Sequence, residues 1–453
     1  MIYKQSKYNL ISMANDGGIL ITNVLYNQDI KFSVEDVDDV KQVLKDSNIR
    51  YTEKQEKIYA YLVNAKILVP ENVEEQQYVD YKCNEIIYGN DMLHLTIIPT
   101  DACNFRCKYC YQDGPKHIMK EETIISIKKY LKKALKKYNG LFISWYGGEP
   151  LLATELVCDI MKYANDLCRS LKIPLYGQMT TNGYNLTVEV FEELQRYHIL
   201  SYMITVDGTR DTHNYQRPHA TDPDSYSVIL NNLKSIRDRV QRKNFRIGIR
   251  VNISPEILPY LNDYIDVIGK EFGHDARFGL IWEWVKDWGG DRICSNYDLV
   301  MDSYDSTEYK QYLDCITEKG LQMDRGQAKS RLGSEMCVAS RKNGFLINYD
   351  GKVYKCAMAL FDPTLESVNC VGEIDSFGNM IIDDYKNSLW VGQGTLPEEC
   401  GECGHYPECM GLICPLSMKI RNVFLCSHTL NKEQDYISRN KEKLGKFQTV
   451  DIK

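Results

Sequence analysis

The chain lacks a net basic charge. Its 453 residues carry 55 Lys and Arg against 62 Asp and Glu, a formal net charge of -7. That balance excludes a general nucleic-acid footprint, which depends on clustered positive charge. It lacks an uninterrupted apolar run approaching the roughly 20 residues that a bilayer span requires. No secretory signal is expected, since Met1 to Leu10 is polar. A cytoplasmic protein with no membrane partner is expected. No internal repeat or low-complexity tract is present, which excludes a repeat array. The one basic run, Lys128 to Lys137, has Ile124, Ile127, Leu131, Ala134, Leu135 and Tyr138 interleaved at helical spacing. It reads as the solvated face of a helix.

What is present is core material and cysteine. The chain is 43% hydrophobic and too long for one average domain. It holds 16 cysteines. A reducing compartment does not sustain structural disulfides, so clustered cysteines there are read as metal ligands.

Three regions are expected, at 1–88, 89–325 and 326–453. The first is a small α+β pattern. It has an alternating segment, Gly18–Leu25, helical stretches at Val34–Leu44 and Glu53–Lys66, and a polar linker at Glu71–Gln77. In the second, apolar strands alternate with amphipathic helices. Strands are expected at Leu93–Pro99, Leu141–Trp145, Leu175–Thr180, Tyr202–Val206, Arg246–Ile253 and Arg277–Trp282. Helices are expected at Glu121–Tyr138, Glu155–Leu171, Val188–Tyr197 and Tyr226–Val240. Six βα units in series point to an α/β fold with a parallel sheet curled toward a barrel, its chemistry at the carboxyl ends of the strands. The third region has shorter elements and is rich in cysteine, a composition that metal usually holds together.

After the first strand comes Cys103-Asn-Phe-Arg-Cys107-Lys-Tyr-Cys110, spaced C-x3-C-x2-C. Such a loop can present three thiolates to one face of a cubane and leave one iron open. Three ligands of a zinc site are the plainer reading. Gly147-Gly148-Glu149-Pro150 follows the second strand, and its glycines permit close backbone approach to a ligand or form a simple turn. Thr180-Thr181-Asn182-Gly183 follows the third strand. Asp207-Gly208 follows the fourth, with His213 and Arg217-Pro218 downstream, and Arg250 and Asn252 lie on the fifth. Thr180 and Asp207 are equally candidates for helix caps. Near the carboxyl end stand Cys337, Gly351 and Cys356, then Cys400-x2-Cys403-x5-Cys409-x4-Cys414, then Cys426. Zinc-finger-like spacing is the alternative for the group of four. Cys83, Cys158, Cys168, Cys294, Cys315 and Cys370 remain. Cys158 and Cys168 share a helix and read as buried apolar residues. Cys370 is a candidate surplus ligand.

The Cys103–Cys110 loop followed by Tyr111 resembles the signature of the radical S-adenosylmethionine (SAM) superfamily. The later cysteines resemble the SPASM extension, except that four residues separate Cys409 and Cys414 where three are usual. The resemblance implies a partial (β/α)6, TIM-like barrel with a C-terminal SPASM domain and three [4Fe–4S] clusters. Cys103, Cys107 and Cys110 would hold the SAM-binding cluster. Cys400, Cys403, Cys409 and Cys426 would hold an outer auxiliary cluster, and Cys337, Cys356 and Cys414 an inner one. SAM would meet Tyr109, Gly147, Gly148, Glu149, Thr180, Asn182, Asp207, Arg217, Arg250 and Asn252. Tyr109 would pack on the adenine, and Glu149 would accept from the SAM ammonium.

The implied activity is maturation of a ribosomally made precursor peptide, with residues 1–88 as a winged-helix-like module for its leader. Flavodoxin or ferredoxin would supply electrons. With only three thiolates assigned, the inner cluster would keep an open iron for a substrate cysteine. That favours thioether formation over carbon–carbon coupling, epimerisation, or sulfatase-type oxidation of Cys or Ser. A zinc-bound peptide adaptor is the non-catalytic rival.

Overall fold

The computed structural model describes residues 2–45, 50–112, 116–285, 306–323, 332–333, 336–422 and 447–452. Cys294 and Cys426 lie outside the described residues. The chain divides into two compact units. One comprises Met1–Tyr88, Arg325–Ser340 and Gly392–Lys453, and the other comprises Gly89–Asp324 and Arg341–Val391. Residues of the sequence region 326–453 therefore occur in both.

In the smaller unit, β1 (Tyr3–Gln5) precedes a meander of β2 (Asn9–Met13), β3 (Ile19–Asn23) and β4 (Gln28–Phe32). Helices α1 (Val37–Lys45) and α2 (Glu53–Asn64) follow, then β5 (Leu68–Pro70), which pairs with β1. The expected alternation of Gly18–Leu25 fails, because all five residues of β3 are buried. As the middle strand of the meander, β3 is covered on both faces, and its polar side chains are satisfied internally. Thr22 donates to Asp29 at 2.8 Å, and Asn23 donates to Ser6 at 2.9 Å. The linker expected at Glu71–Gln77 is corrected too. Helix α3 (Glu75–Tyr88) starts inside it, and Glu75 is buried. Its carboxylate accepts from the Ser6 hydroxyl at 2.7 Å and the Lys7 amide at 3.1 Å. A polar composition signals a linker only while its polar groups face water.

In the larger unit the six expected strands appear as β6 (Leu93–Ile97), β7 (Leu141–Trp145), β8 (Leu175–Thr181), β9 (Ile199–Thr205), β10 (Arg246–Ile253) and β11 (Phe278–Trp284). All pair in parallel, in chain order. The expected helices are α4 (Glu121–Ala134), α5 (Thr154–Leu171), α6 (Val188–Arg196) and, after the short α7 (Arg210–Gln216), α8 (Ser225–Arg239).

Paired residues of parallel strands share a face. One face carries Leu95, Ile143, Met179, Ile204 and Ile249, all 1% exposed or less. The other carries Thr96, Ser144, Gln178, Thr180, Met203, Arg250 and Glu283, all half-buried and mostly polar. The apolar face drives assembly, at about 1.5–3 kcal/mol per buried aliphatic side chain. The polar face is the one that can hold a reactant.

The sheet does not stop at β6. β12 (Gly344–Ile347) lies parallel beside it, and β13 (Lys352–Tyr354), β14 (Cys370–Ile374) and β15 (Met380–Ile382) continue antiparallel. The result is one mixed sheet of ten strands, ending at β11 and β15. The lysine run also differs from a plain solvated face. Lys129 donates to the Ser376 carbonyl and Lys133 to the Phe377 carbonyl, each at 2.9 Å, tying the β14–β15 turn to α4. A two-residue strand, β16 (Gln448–Thr449), adds in parallel to β4 in the smaller unit.

Candidate functional site

The C-x3-C-x2-C loop leaves the carboxyl end of β6. Its backbone is laced to residues 216–220. Arg106 N–H donates to the Pro218 carbonyl at 2.8 Å, Lys108 N–H to Gln216 at 2.9 Å, and Ala220 N–H to Asn104 at 2.8 Å. Cys103, Cys107 and Cys110 are all half-buried. Burial pushes the Cys103 thiol up to about 11 and the Cys107 thiol up to about 12. Each thiol is also within electrostatic reach of the next along the loop.

The Gly147–Pro150 turn is pressed onto this loop. Gly148 N–H donates to Thr100 at 3.1 Å, and Glu149 N–H donates to Ala102 at 2.8 Å. A Cβ on Gly148 would sit 2.2 Å from the Ala102 carbonyl oxygen and 2.5 Å from that of Asp101. Gly147, at φ 129°, occupies backbone space that favours glycine. These glycines therefore serve the approach of two backbone segments.

Glu149 is 1% exposed, and its carboxylate is largely engaged. Oε1 accepts from Leu151 N–H at 2.9 Å and from the Thr181 hydroxyl at 2.6 Å, and Oε2 accepts from Asn182 N–H at 2.7 Å. Burial pushes this carboxyl up while those donors oppose it. Its visible work is to bind the β7 turn to the β8 turn, with one of about four lone-pair sites left for a guest. The Asn182 side chain closes the circle by donating to Asn104 Oδ1 at 2.7 Å.

Five of the expected contact residues meet in one network. Tyr109 donates its hydroxyl to Asp207 Oδ2 and accepts from Arg217 Nη1 at 2.6 Å and from Asn252 Nδ2 at 2.9 Å. Asn252 N–H donates to Asp207 Oδ1 at 2.6 Å, and Arg250 Nε donates to Asn252 Oδ1 at 2.8 Å. Arg217 lies 3.8 Å from Asp207. Asp207 is fully buried, and Arg217 and Asn252 are each 6% exposed. Burial pushes Asp207 up against the pull of Arg217. Arg217 stays charged, because Cys107, Tyr109 and Asp207 together outweigh its burial.

The cap reading of Thr180 and Asp207 fails, since Thr187 and Thr209 occupy the N-cap positions of α6 and α7. His213 was visible in the sequence without a role. It is fully buried, is held neutral by burial, and its Nδ1 accepts from Asp207 N–H at 3.0 Å. Tyr111 and Tyr146 form a second pair, hydroxyl to hydroxyl, beside the Cys110 loop.

Residues 97–256 match the Radical SAM superfamily. That stretch is thus similar to radical SAM domains, and the family implies a site for SAM within it. Among curated relatives, an uncharacterized protein of Methanocaldococcus jannaschii is 24% identical over 63% of this chain and 89% of its own length. The radical SAM cyclopropyl synthase TigE of Paramaledivibacter caminithermalis is 25% identical over 49% of this chain and 48% of its own, so the chain spans about half of that relative. The solved structure of native anSMEcpe with bound AdoMet and the Kp18Cys peptide has a TM-score of 0.57 at 17% identity. It covers 78% of this chain and 98% of that one. At such identity the likeness is one of fold.

The donor set of the Cys103 loop fits the implied iron–sulfur cluster: three thiols share one loop at the carboxyl end of β6. Arg217 Nε, buried beside them, has no hydrogen-bond partner among the described residues, a donor that a polar guest could satisfy. Among the described residues, no three His, Cys, Asp or Glu side chains converge closely enough to hold a metal as they stand.

The other expected thiols are placed as follows. Cys356 belongs to the larger unit, and Cys337, Cys400, Cys403, Cys409 and Cys414 belong to the smaller. After Cys409 the backbone turns through Met410 at φ 49° and Gly411 at φ 68°. Cys337 N–H donates to the Leu412 carbonyl of the same turn at 2.9 Å. Cys158 and Cys168 are buried within α5, as their helical spacing indicated. Among the described residues, no helix is long and apolar enough to cross a membrane.

Proposed function

We propose that this chain is a radical SAM peptide maturase that removes hydrogen from a ribosomally made peptide. The carrying observation is convergence. The three-cysteine loop, the Gly147–Glu149 turn and the Tyr109–Asp207–Arg217–Asn252 network all gather at the carboxyl ends of parallel strands, next to a half-buried polar sheet face. When bound, a cluster with SAM supplies a 5′-deoxyadenosyl radical, chemistry that no side chain here provides. Cys103, Cys107 and Cys110 would hold that cluster. Arg250, with its two-pronged donor geometry, would take the SAM carboxylate. The remaining lone pair of Glu149 is available to the ammonium. The polar row from Thr96 to Glu283 would orient the peptide.

Two outcomes compete for the finer chemistry. Thioether formation follows from an open inner cluster. Oxidation of a Cys or Ser side chain is the reading favoured by the fold shared with peptide-bound anSMEcpe. Mass spectrometry of the product peptide separates them. A thioether loses one pair of hydrogens and one free thiol but keeps its sulfur. Conversion of Cys to an aldehyde loses the sulfur and gives a hydrazide-reactive product. An unchanged mass with deuterium uptake from solvent would point to epimerisation. Protein carrying zinc and no iron would overturn the proposal.

Leader capture by the smaller unit belongs to the same reading. β2 has a hydrogen-bonded neighbour on one side only among the described residues, and Ile11 and Met13 on it are 38% and 40% exposed. A cavity of about 490 Å³ beside it is lined by Ile11, Met13, Ile19, Lys41, Leu44 and Lys45. An extended peptide adding to that edge would gain backbone hydrogen bonds and side-chain pockets together.

A further inference from the structure

We propose that the open edge of β2 takes an acidic extended segment, whose carboxylates at alternate positions are held by Lys41 and Lys45. This rests on reading that edge as the site of leader capture, and it names the chemistry of the leader. Every residue it uses lies in the smaller unit.

The floor is a sheet face that α1 leaves partly uncovered. Ile11 and Met13 pair directly with Ile21 and Ile19 across the β2–β3 ladder, so the four side chains share one face. Ile19 and Ile21 are buried in the core that Val40 and Val43 of α1 help to form, and Leu44 packs against it. Ile11 and Met13, one strand outward, remain 38% and 40% exposed. The apolar row therefore runs out of the core to a strand with no neighbour beyond it among the described residues. One further strand would continue the ladder and cover that row.

The rim supplies the charge. Lys41 and Lys45 line the same cavity as Met13 and Leu44, and none of its lining residues is acidic, in a chain of net charge -7. Both lysines are exposed, and neither is ion-paired with a described residue. The carboxyl-end dipole of α1 would account for Lys45 alone, but not for Lys41 a full turn earlier. Residues four apart on a helix are offset by about 6 Å along its axis, and alternate residues of an extended chain by about 6.6 Å. Carboxylates at positions i and i+2 of an added strand thus match the two ammonium groups in spacing. Cationic side chains there would be repelled.

The test uses the full chain, purified anaerobically, and labelled synthetic extended peptides that differ only at two alternate positions, which carry Glu, Gln or Lys. Binding is read by fluorescence anisotropy, and the Glu peptide should bind most tightly. Lys41→Gln/Lys45→Gln should weaken the Glu peptide about 2- to 30-fold, the worth of two exposed ion pairs, and leave the Gln peptide unchanged. Circular dichroism and 5′-deoxyadenosine formation without peptide should not change. Lys57→Gln/Lys136→Gln removes the same charge elsewhere and should have no effect. Raised salt should erase the preference for Glu. Equal binding of the three peptides, weakened alike by Ile11→Ser/Met13→Ser, would overturn the acidic specificity and leave leader capture at β2 standing. No binding, or binding that Ile11→Ser/Met13→Ser does not weaken, would overturn capture at this edge and the inference with it. Dimerisation in sedimentation that the same serine variant abolishes would give the edge to a second copy of the chain, which also overturns the inference.

Discussion

Replacing Asp207 with Asn should destabilise the larger unit by about 3–5 kcal/mol, the cost of removing one partner from a buried charge pair. Asp207 is fully buried and Arg217 is 6% exposed, 3.8 Å away. At that separation and an effective dielectric of ~20, two unit charges attract by about 4 kcal/mol, which agrees. The amide also reverses one hydrogen bond. Tyr109 already accepts from Arg217 and Asn252, so an Asn NH2 facing it would leave the phenol proton with no acceptor.

At about 2 °C per kcal/mol, the low end for large domains, Tm should fall by about 6–10 °C in anaerobic calorimetry. SAM binding, read by equilibrium dialysis, should weaken in the same variant. The decisive control is Arg217→Met. With the guanidinium gone, Asp207→Asn should cost far less, because no uncompensated cation is left. An equal cost in both backgrounds would show that Asp207 acts through packing, and the electrostatic account of the network would be wrong.

Gly148→Ala should separate the Gly147–Pro150 turn from the cysteine loop, since its Cβ would meet carbonyl oxygens at 2.2 and 2.5 Å. Iron per chain should fall with little loss of helix by circular dichroism. Replacing Cys103, Cys107 and Cys110 together with Ala should remove about four irons and abolish SAM cleavage, assayed as 5′-deoxyadenosine. His94 is pushed down to about 4 by burial, with Arg341 adding to the effect. It folds neutral while the unfolded chain takes up a proton near pH 6.5, so stability is full above that pH and is lost as pH falls toward 4. His94→Gln should flatten urea midpoints across that window. Met13→Glu on the open β2 edge should weaken capture of the precursor peptide and spare SAM cleavage without peptide. Equal capture would remove leader binding from that edge. Deleting residues 1–88 would be a poorer test, because Val450 shares the buried core of Ile30 and Phe32.

The six parallel strands were legible because apolar runs alternate with helical periodicity along the chain, and the first four of them end at a motif. The turns after these strands were legible as a set, since carboxyl-end turns of neighbouring parallel strands lie on one edge of the sheet. Their partners were not. That Glu149 ties two turns together, or that Tyr109 reaches Asp207 across 98 residues, depends on tertiary contacts with no local trace. β12 to β15 were missed because strands of three to five residues carry too short a pattern to separate from loop. Glu75 was misread because burial of a carboxylate is decided by Ser6 and Lys7, far away in the chain.

The β16–β4 pairing bears on how the protein is made. Gln448 and Thr449 complete the edge of a sheet whose other strands end at Phe32, and Val450 is 7% exposed within its core. A ribosome emitting roughly 5–20 residues per second needs about 20–80 s to travel from the first part of that core to the last. Throughout that interval the earliest-made strands expose apolar surface and an unpaired edge. The sheet of β2, β3 and β4 can therefore be completed only after residues 448–450 have been made.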